Sequence, residues 1–287
     1  MSGQAASLEI AFLAHRRHRR LVGLAGGVVL AACLLVSAIV SEASPSALID
    51  GAPRALTYFA KLIPDLRLPV LFSGTETQGS LAYWMYRVDL WLWLLFETSQ
   101  MAALATLAGA VIALPLCFPA AANLAPRRSI YLLFRRMLEL LRAVPDIVYA
   151  LILVWTFGVG PLAGILAITL HTAGTLGKLF AEAAENADMR PWQGLQSVGA
   201  TWIQSVRFAI FPQVLPNFLS YVLMRFELNV RGATVIGFVG AGGIGQELYS
   251  VISFNYYQEI GAIVVLIVLV VSAIDMTSER LRRAVIR

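Results

Sequence analysis

The sequence predicts an all-α integral membrane protein that crosses a bilayer about six times and keeps both termini on the cytoplasmic side. Three observations carry this reading. Of the 287 residues, 59% are hydrophobic and 14% charged, with a mean hydropathy of +0.74. A soluble domain has roughly 45–50% apolar and about 25% charged residues, and needs those charges to cover its surface. The apolar residues also gather in runs of spanning length, about 20 residues for a hydrocarbon core roughly 30 Å thick. Finally, the basic residues cluster between the runs, as in cytoplasmic loops. The net charge of +5 therefore reads as topology and argues against a nucleic-acid partner.

The elements follow in order. The cluster His15-Arg16-Arg17-His18-Arg19-Arg20 precedes an uncharged run at 21–40. That run exceeds the about 7–15 residues of a signal-peptide core, so it predicts an uncleaved first span; residues 1–41 form the first unit. Residues 42–90 predict an extracytoplasmic loop carrying Pro45, Pro53, Pro64 and Pro69. Within it, 47–63 predicts an amphipathic helix on the outer surface. Tyr83, Trp84, Tyr86, Trp91 and Trp93 form an interfacial aromatic belt.

Residues 91–287 form the main membrane body. The second span covers 91–118, and Arg127 with Arg128 mark a short cytoplasmic loop. The third span lies at 140–157, after a charged piece with Arg135, Arg136 and Glu139, and is broken by Gly158-Val159-Gly160-Pro161. The fourth span covers 162–180. A polar stretch at 181–207 follows, then a fifth span at 213–236 and a sixth at 259–274. Arg280, Arg282, Arg283 and Arg287 stand beyond it. Six spans put every basic cluster on one side. Cys33 and Cys117 lie in apolar runs and read as small buried hydrophobes.

Two glycine patterns imitate nucleotide sites. Gly240-Ala241-Gly242-Gly243-Ile244-Gly245 satisfies G-x-G-x-x-G. A dinucleotide site needs that pattern between a strand and a helix of a soluble βαβ unit, and none is present. Close backbone packing or a re-entrant turn explains the glycines. Gly174-Thr175-Leu176-Gly177-Lys178 resembles a phosphate loop, but Thr172 stands at the first glycine position and Leu179 follows the lysine. No metal-ligand spacing and no catalytic constellation is found, so the chain is expected to be no enzyme and to hold no cofactor or metal.

The fifth span carries Arg225, Glu227, Asn229 and Arg231 where lipid is expected. Each such charge costs at least about 2.5–3.5 kcal/mol at a helix centre. Glu227 and Arg231 are four apart, in the favourable order for an ion pair. Arg225 and Asn229 are also four apart and share a face, which leaves Arg225 without a local counter-charge. The readings are a cluster holding helices together or a polar lining for an anion path. His171, inside the fourth span, stands open between a packing hydrogen bond and the same lining.

The polar loop carries a resemblance. Gln193-Gly194-Leu195-Gln196-Ser197-Val198-Gly199-Ala200-Thr201, followed by Phe211-Pro212, resembles the coupling loop E-A-A-x-x-x-G-x9-I-x-L-P of ABC-importer permeases. Gln193-Gly194-Leu195 fill the E-A-A places, Ala209 the isoleucine place and Phe211 the leucine place; Gly199 and Pro212 match. Glu182-Ala183-Ala184 is a decoy, because Asp188 stands where its glycine belongs. Arg142-Ala143-Val144-Pro145-Asp146, His171-Thr172-Ala173-Gly174 and Arg225-Phe226-Glu227 with Asn229-Val230-Arg231 are similar to permeases of phosphonate importers.

The resemblance implies a MetI-like permease fold with a coupling loop at about 181–212. It implies two permease subunits, alike or paralogous, and an ABC ATPase dimer that binds ATP and Mg²⁺. It also implies an extracytoplasmic phosphonate-binding protein and a bacterial inner membrane. Residues 192–206 then form an amphipathic coupling helix, and His171, Arg225, Glu227, Asn229 and Arg231 line the path. Phosphate, phosphite and methionine are the alternative solutes. Two further classes stand against this reading. One is an ion-coupled secondary transporter using Glu227 and Arg231, which inverted repeats would favour and none is evident; the other is a non-transporting scaffold.

Overall fold

The structure, a computed structural model, describes residues 2–42 and 44–286. Ala43 and Arg287, the last of the C-terminal arginines, lie outside them. The described residues contain helices and turns and no strand. They divide into two compact units, residues 1–61 and 62–287.

The first unit is built from α1 (Ser2–Val40) and most of α2 (Pro45–Leu62). The portion His15–Val40 is long and apolar enough to cross a membrane. Its apolar side chains stand exposed, Cys33 among them. The reading of Cys33 as buried is thus corrected: the helix presents it on an outer surface. The helix expected at 47–63 is present as α2.

In the second unit a 3-10 turn, Leu68–Val70, precedes α3 (Leu81–Trp84), which is capped by the Ser80 hydroxyl accepting from the Tyr83 amide at 3.0 Å. The rest of this unit is α4 (Val88–Cys117), α5 (Arg128–Ala143), α6 (Asp146–Phe157), α7 (Pro161–Glu185), α8 (Arg190–Ser197), α9 (Trp202–Ser205), α10 (Phe211–Ile236), α11 (Gly243–Ser253) and α12 (Tyr257–Ile286). Counting α1, five segments among the described residues are long and apolar enough to span.

The third expected span is different. Val144 is extended (φ −80°, ψ 122°), because Pro145 disfavours a helical residue before it and lacks the amide to continue the ladder. The chain breaks there, and α6 has only 12 residues, about 18 Å of rise. Six expected spans become five long ones and a short apolar helix.

Helices α4, α7 and α10 make the centre of the unit. Their contacts are lined by small residues: Ala102, Ala105, Ala167 and Ala233 are buried with Ile168 and Val230. Lipid tails are as apolar as leucine, so membrane helices associate by close fit, which small residues permit. A Cβ on Gly109 of α4 would lie 2.8 Å from the Thr172 methyl of α7. In the phosphate-loop look-alike, a Cβ on Gly174 would lie 2.7 Å from the Arg142 amide, and one on Gly177 would collide with Leu138. Those two glycines let α5 lie against α7.

The second glycine pattern is likewise packing. Gly237–Val239 is a short 3-10 turn, Gly240 and Gly242 have positive φ, and α11 starts at Gly243. A side chain on Gly245 would strike the Thr234 carbonyl. Thr98 of α4 caps α11 by accepting from the Ile244 amide at 2.9 Å. The segment 241–245 is buried, as close backbone packing requires.

Candidate functional site

Two sets of residues are built by this framework, one inside the membrane body and one in the polar loop. The first forms where α10 faces α4 and α7. Arg225 and Asn229 share a face of α10, as their spacing requires. Asn229 is 3% exposed and donates from Nδ2 to Thr106 Oγ1 at 2.8 Å and to Thr172 Oγ1 at 3.0 Å. Thr106 donates in turn to the Ala102 carbonyl, which leaves its oxygen as the acceptor. Arg225, half-buried, points its Nε at the same Thr172 oxygen from 3.5 Å. The threonines were missed in the sequence; isolated Thr in an apolar run is ordinary there.

The hinge between α5 and α6 closes one side of this cluster. His171 meets the Val144 carbonyl at 3.0 Å through Nδ1, which must therefore carry the proton. The Tyr149 hydroxyl donates to the Leu141 carbonyl at 3.1 Å. Both carbonyls would otherwise lack a helical partner, because the break removes their amides. His171 thus makes a packing hydrogen bond, one of its two open roles. Asp146 follows the break: its Oδ2 lies 3.3 Å from where a Cβ on Gly232 of α10 would sit, and its charge acts on Arg225.

Glu227 and Arg231 do not pair with each other, which corrects the expectation from spacing. Glu227 meets Arg282 at 3.7 Å, and Arg231 meets Asp275 at 3.2 Å. Both partners lie on α12, which runs alongside α10, and an interhelical partner wins over the i,i+4 neighbour. Glu227 Oε1 is buried without a hydrogen bond, so its charge is met by Arg282 across a gap. Among the described residues Arg225 alone of the three has no ion-pair partner within 4 Å.

The polar loop forms two short helices in place of the single one expected at 192–206. Helix α8 ends in a Schellman turn: the Gly199 amide donates to the Gln196 carbonyl at 3.0 Å and the Ala200 amide to the Leu195 carbonyl at 3.1 Å. The turn needs Gly199 at φ +82°, a region that costs other residues. Thr201 then opens α9 with a capping box to Gln204. A π-turn, Val206–Ile210, joins it to α10. Pro212 has no amide to continue an i→i−4 ladder, and the Phe211 amide reaches back five residues to Val206.

The loop is tied down at several points. Trp192 is buried in the core while Gln193 and Gly194 face outward. The Trp202 indole donates to the Leu124 carbonyl at 2.7 Å. Gln213 exchanges two hydrogen bonds with the Asp188 backbone, each 3.1 Å. Glu185 accepts from the Ala122 amide at 2.9 Å and meets Arg135 at 3.3 Å; Arg135 also meets Glu182 at 3.7 Å. Glu182 is therefore in a structural pair, which explains the decoy. Arg190 holds the Asp188 carboxyl below its ordinary range by hydrogen bonding, and Asp188 raises Arg190 in return. Between these anchors, Val198, Ile203 and Phe208 stand 79%, 70% and 65% exposed.

Comparison with known proteins gives this arrangement its context. Residues 113–287 match the family described as binding-protein-dependent transport system inner membrane component. A putative phosphite transport system permease protein, HtxC of Stutzerimonas stutzeri, is 35% identical over 266 residues, covering 92% of this chain and 87% of the relative. The putative cryptic phosphonate transport system permease protein PhnE2 of Escherichia coli K12 is 44% identical over 119 residues, 42% of this chain and 98% of that one. In three dimensions, a chain of the MetNI methionine ABC transporter in inward-facing conformations aligns with a TM-score of 0.61 at 23% identity, over 70% of this chain and 98% of that one; this likeness carries the fold, as expected from the MetI-like pattern. The chain belongs to the family of binding-protein-dependent transport system inner membrane components and is a permease subunit.

Proposed function

We propose that this permease subunit lets phosphonate pass through an ATP-driven importer, with phosphate and phosphite as the nearest alternatives. The observation that carries the substrate class is Arg225, a guanidinium inside a membrane-spanning helix whose described contact is a threonine hydroxyl. Asp146 acts on Arg225 only from beyond ion-pair distance, and a charge in a spanning helix without a close partner costs several kcal/mol, so it marks a place where a passing anion adds compensation. A guanidinium fork fits the oxygens of a phosphorus oxyanion. The names of the relatives, phosphite and phosphonate permeases, support the same class.

Arg231 and Glu227 are engaged by α12, so we assign the passing anion first to Arg225, with Asn229 on the same face and His171 at the neighbouring hinge. Binding there has to stay weak for release, so selection falls to an extracytoplasmic solute-binding protein. ATP and Mg²⁺ belong to two partner ATPase subunits. The exposed side of 190–208, with Gln193, Gly194 and the three outstanding apolar residues, is the surface we assign to them, since apolar side chains in a polar loop favour a partner. A second permease subunit, a copy or a paralogue, completes the pore. Both termini and the polar loop then face the cytoplasm of a bacterial inner membrane, and 42–90 lies outside.

Uptake of labelled phosphonate by the reconstituted complex tests the assignment. Arg225→Ala should lower uptake roughly tenfold or more, the loss of one charge-assisted contact, Arg225→Lys less, and Arg231→Ala less again. Normal uptake by Arg225→Ala at equal assembly would sink it.

A further inference from the structure

The segments leading into α4 and α12 face each other across a cavity of about 350 Å³. Its walls are the rings of Tyr83, Trp84, Tyr86, Tyr256 and Tyr257 and the side chain of Glu259. Two hydrogen bonds fix the pocket. The Trp84 indole donates to the Gln258 carbonyl at 2.8 Å, and the Tyr86 hydroxyl donates to Glu259 Oε1 at 2.8 Å. Burial and the Glu259 hydrogen bond both raise the Tyr86 phenol above its ordinary value, so it remains a donor. Phe254 stacks on Tyr256 with ring centres 5.8 Å apart and supports that wall.

Tyrosine and tryptophan at the ends of spans ordinarily reflect an interfacial belt. A belt explains rings but not a cavity that they line together with a carboxylate. Among the described residues Glu259 has no ion-pair partner, and the neighbouring cation, Arg87, is engaged with Glu247 at 2.9 Å. Ring faces attract a cation through their quadrupole, and a carboxylate adds a full charge. A hard metal ion demands several oxygens, and no group of three His, Cys, Asp or Glu side chains able to hold a metal exists among the described residues. The complementary ligand is therefore an organic cation with apolar flanks.

We propose that this cavity binds an alkylammonium group. The pocket sits where α4 and α12, two spanning helices, begin, the depth at which headgroups lie. The ethanolamine headgroup of a phospholipid meets both the chemistry and the position. A small soluble molecule carrying the same group, such as phosphoethanolamine, is the other source. The site is independent of the oxyanion path, so failure of either reading leaves the other standing.

The test uses the full chain in nanodiscs. Native mass spectrometry compares retention of phosphatidylethanolamine with phosphatidylglycerol, and quenching of tryptophan fluorescence by phosphoethanolamine reports a soluble ligand, because Trp84 lines the cavity. The expected result is about fivefold preference for the ethanolamine lipid, the scale of a partly desolvated cation–π contact. Glu259→Gln should remove that preference at unchanged thermal stability. Tyr256→Ala, at a ring already 54% exposed, should weaken it without a folding defect. Quenching by phosphoethanolamine, lost in Glu259→Gln, supports ammonium recognition with a soluble source. Equal retention of both lipids together with no quenching overturns the proposal, and so does a preference undiminished in Glu259→Gln.

Discussion

Gly199 and Gly194 lie five residues apart in the polar loop, and replacing each by alanine should have opposite consequences. Neither has an atom within 4 Å of where a Cβ would sit, so sterics with neighbours play no part. Gly194 lies inside α8 with ordinary helical geometry. Alanine there should strengthen the helix by about 0.5–1 kcal/mol. Gly199 holds φ +82°, where an L side chain costs about 1–2 kcal/mol. That penalty raises the population of competing turn conformations by about five- to thirtyfold. Since the turn sets the direction in which α9 leaves α8, Gly199→Ala should reduce solute moved per ATP hydrolysed while insertion and yield stay normal. Gly199→Val should be worse, and Gly199→Asn milder, because asparagine tolerates the left-handed region. Proteoliposomes containing the assembled importer, assayed in parallel for uptake and ATP hydrolysis, give the ratio. Equal ratios for Gly199→Ala and Gly194→Ala would refute the reasoning.

Other outcomes follow from contacts already described. Gly174→Ala should lower the melting temperature more than Gly177→Ala, by about 1–3 kcal/mol equivalent; its Cβ meets the backbone of Arg142, whereas Leu138 can rotate away. In a double-mutant cycle of Asn229→Ala with Thr106→Val, denaturation should give a coupling of about 0.6–1.7 kcal/mol, the range for membrane-buried hydrogen bonds. Glu227→Arg alone should destabilise the protein, and adding Arg282→Glu should restore it, read as recovered thermal stability. Asp188 should titrate below 3.8 by NMR because Arg190 stabilises its charged form. The pair's contribution is present above that range and lost as pH falls through the depressed value, and Arg190→Ala should return the carboxyl toward 3.8.

The spans were legible because apolar length is dictated by bilayer thickness, a constraint that acts within one run of residues. Gly199 and Pro212 stood out through the resemblance to the coupling-loop pattern, and the structure gives each a local backbone role. The charged piece before 140 was separated from the third span, but the break itself lies at Val144-Pro145; composition stays apolar across it and concealed its position. Helix α11 was hidden behind glycines whose role is tertiary, since the close approach of Gly245 to Thr234 has no local trace. The ion pairs failed for the plainest reason. A spacing rule sees four residues along α10, while Asp275 and Arg282 are placed beside it only by the packing of α12.

The side-chain caps at Val144 and Leu141 have a mechanical consequence. In a continuous helix, bending by a large angle must rupture several rungs of the backbone ladder inside a medium that offers no substitute. Here the crease is built in, and its free carbonyls are held by an imidazole and a phenol. These are exchangeable clasps. Swinging α6 relative to α5 would have to release these two side chains and the packing of both helices on α7, but no rung of either helix's own backbone ladder.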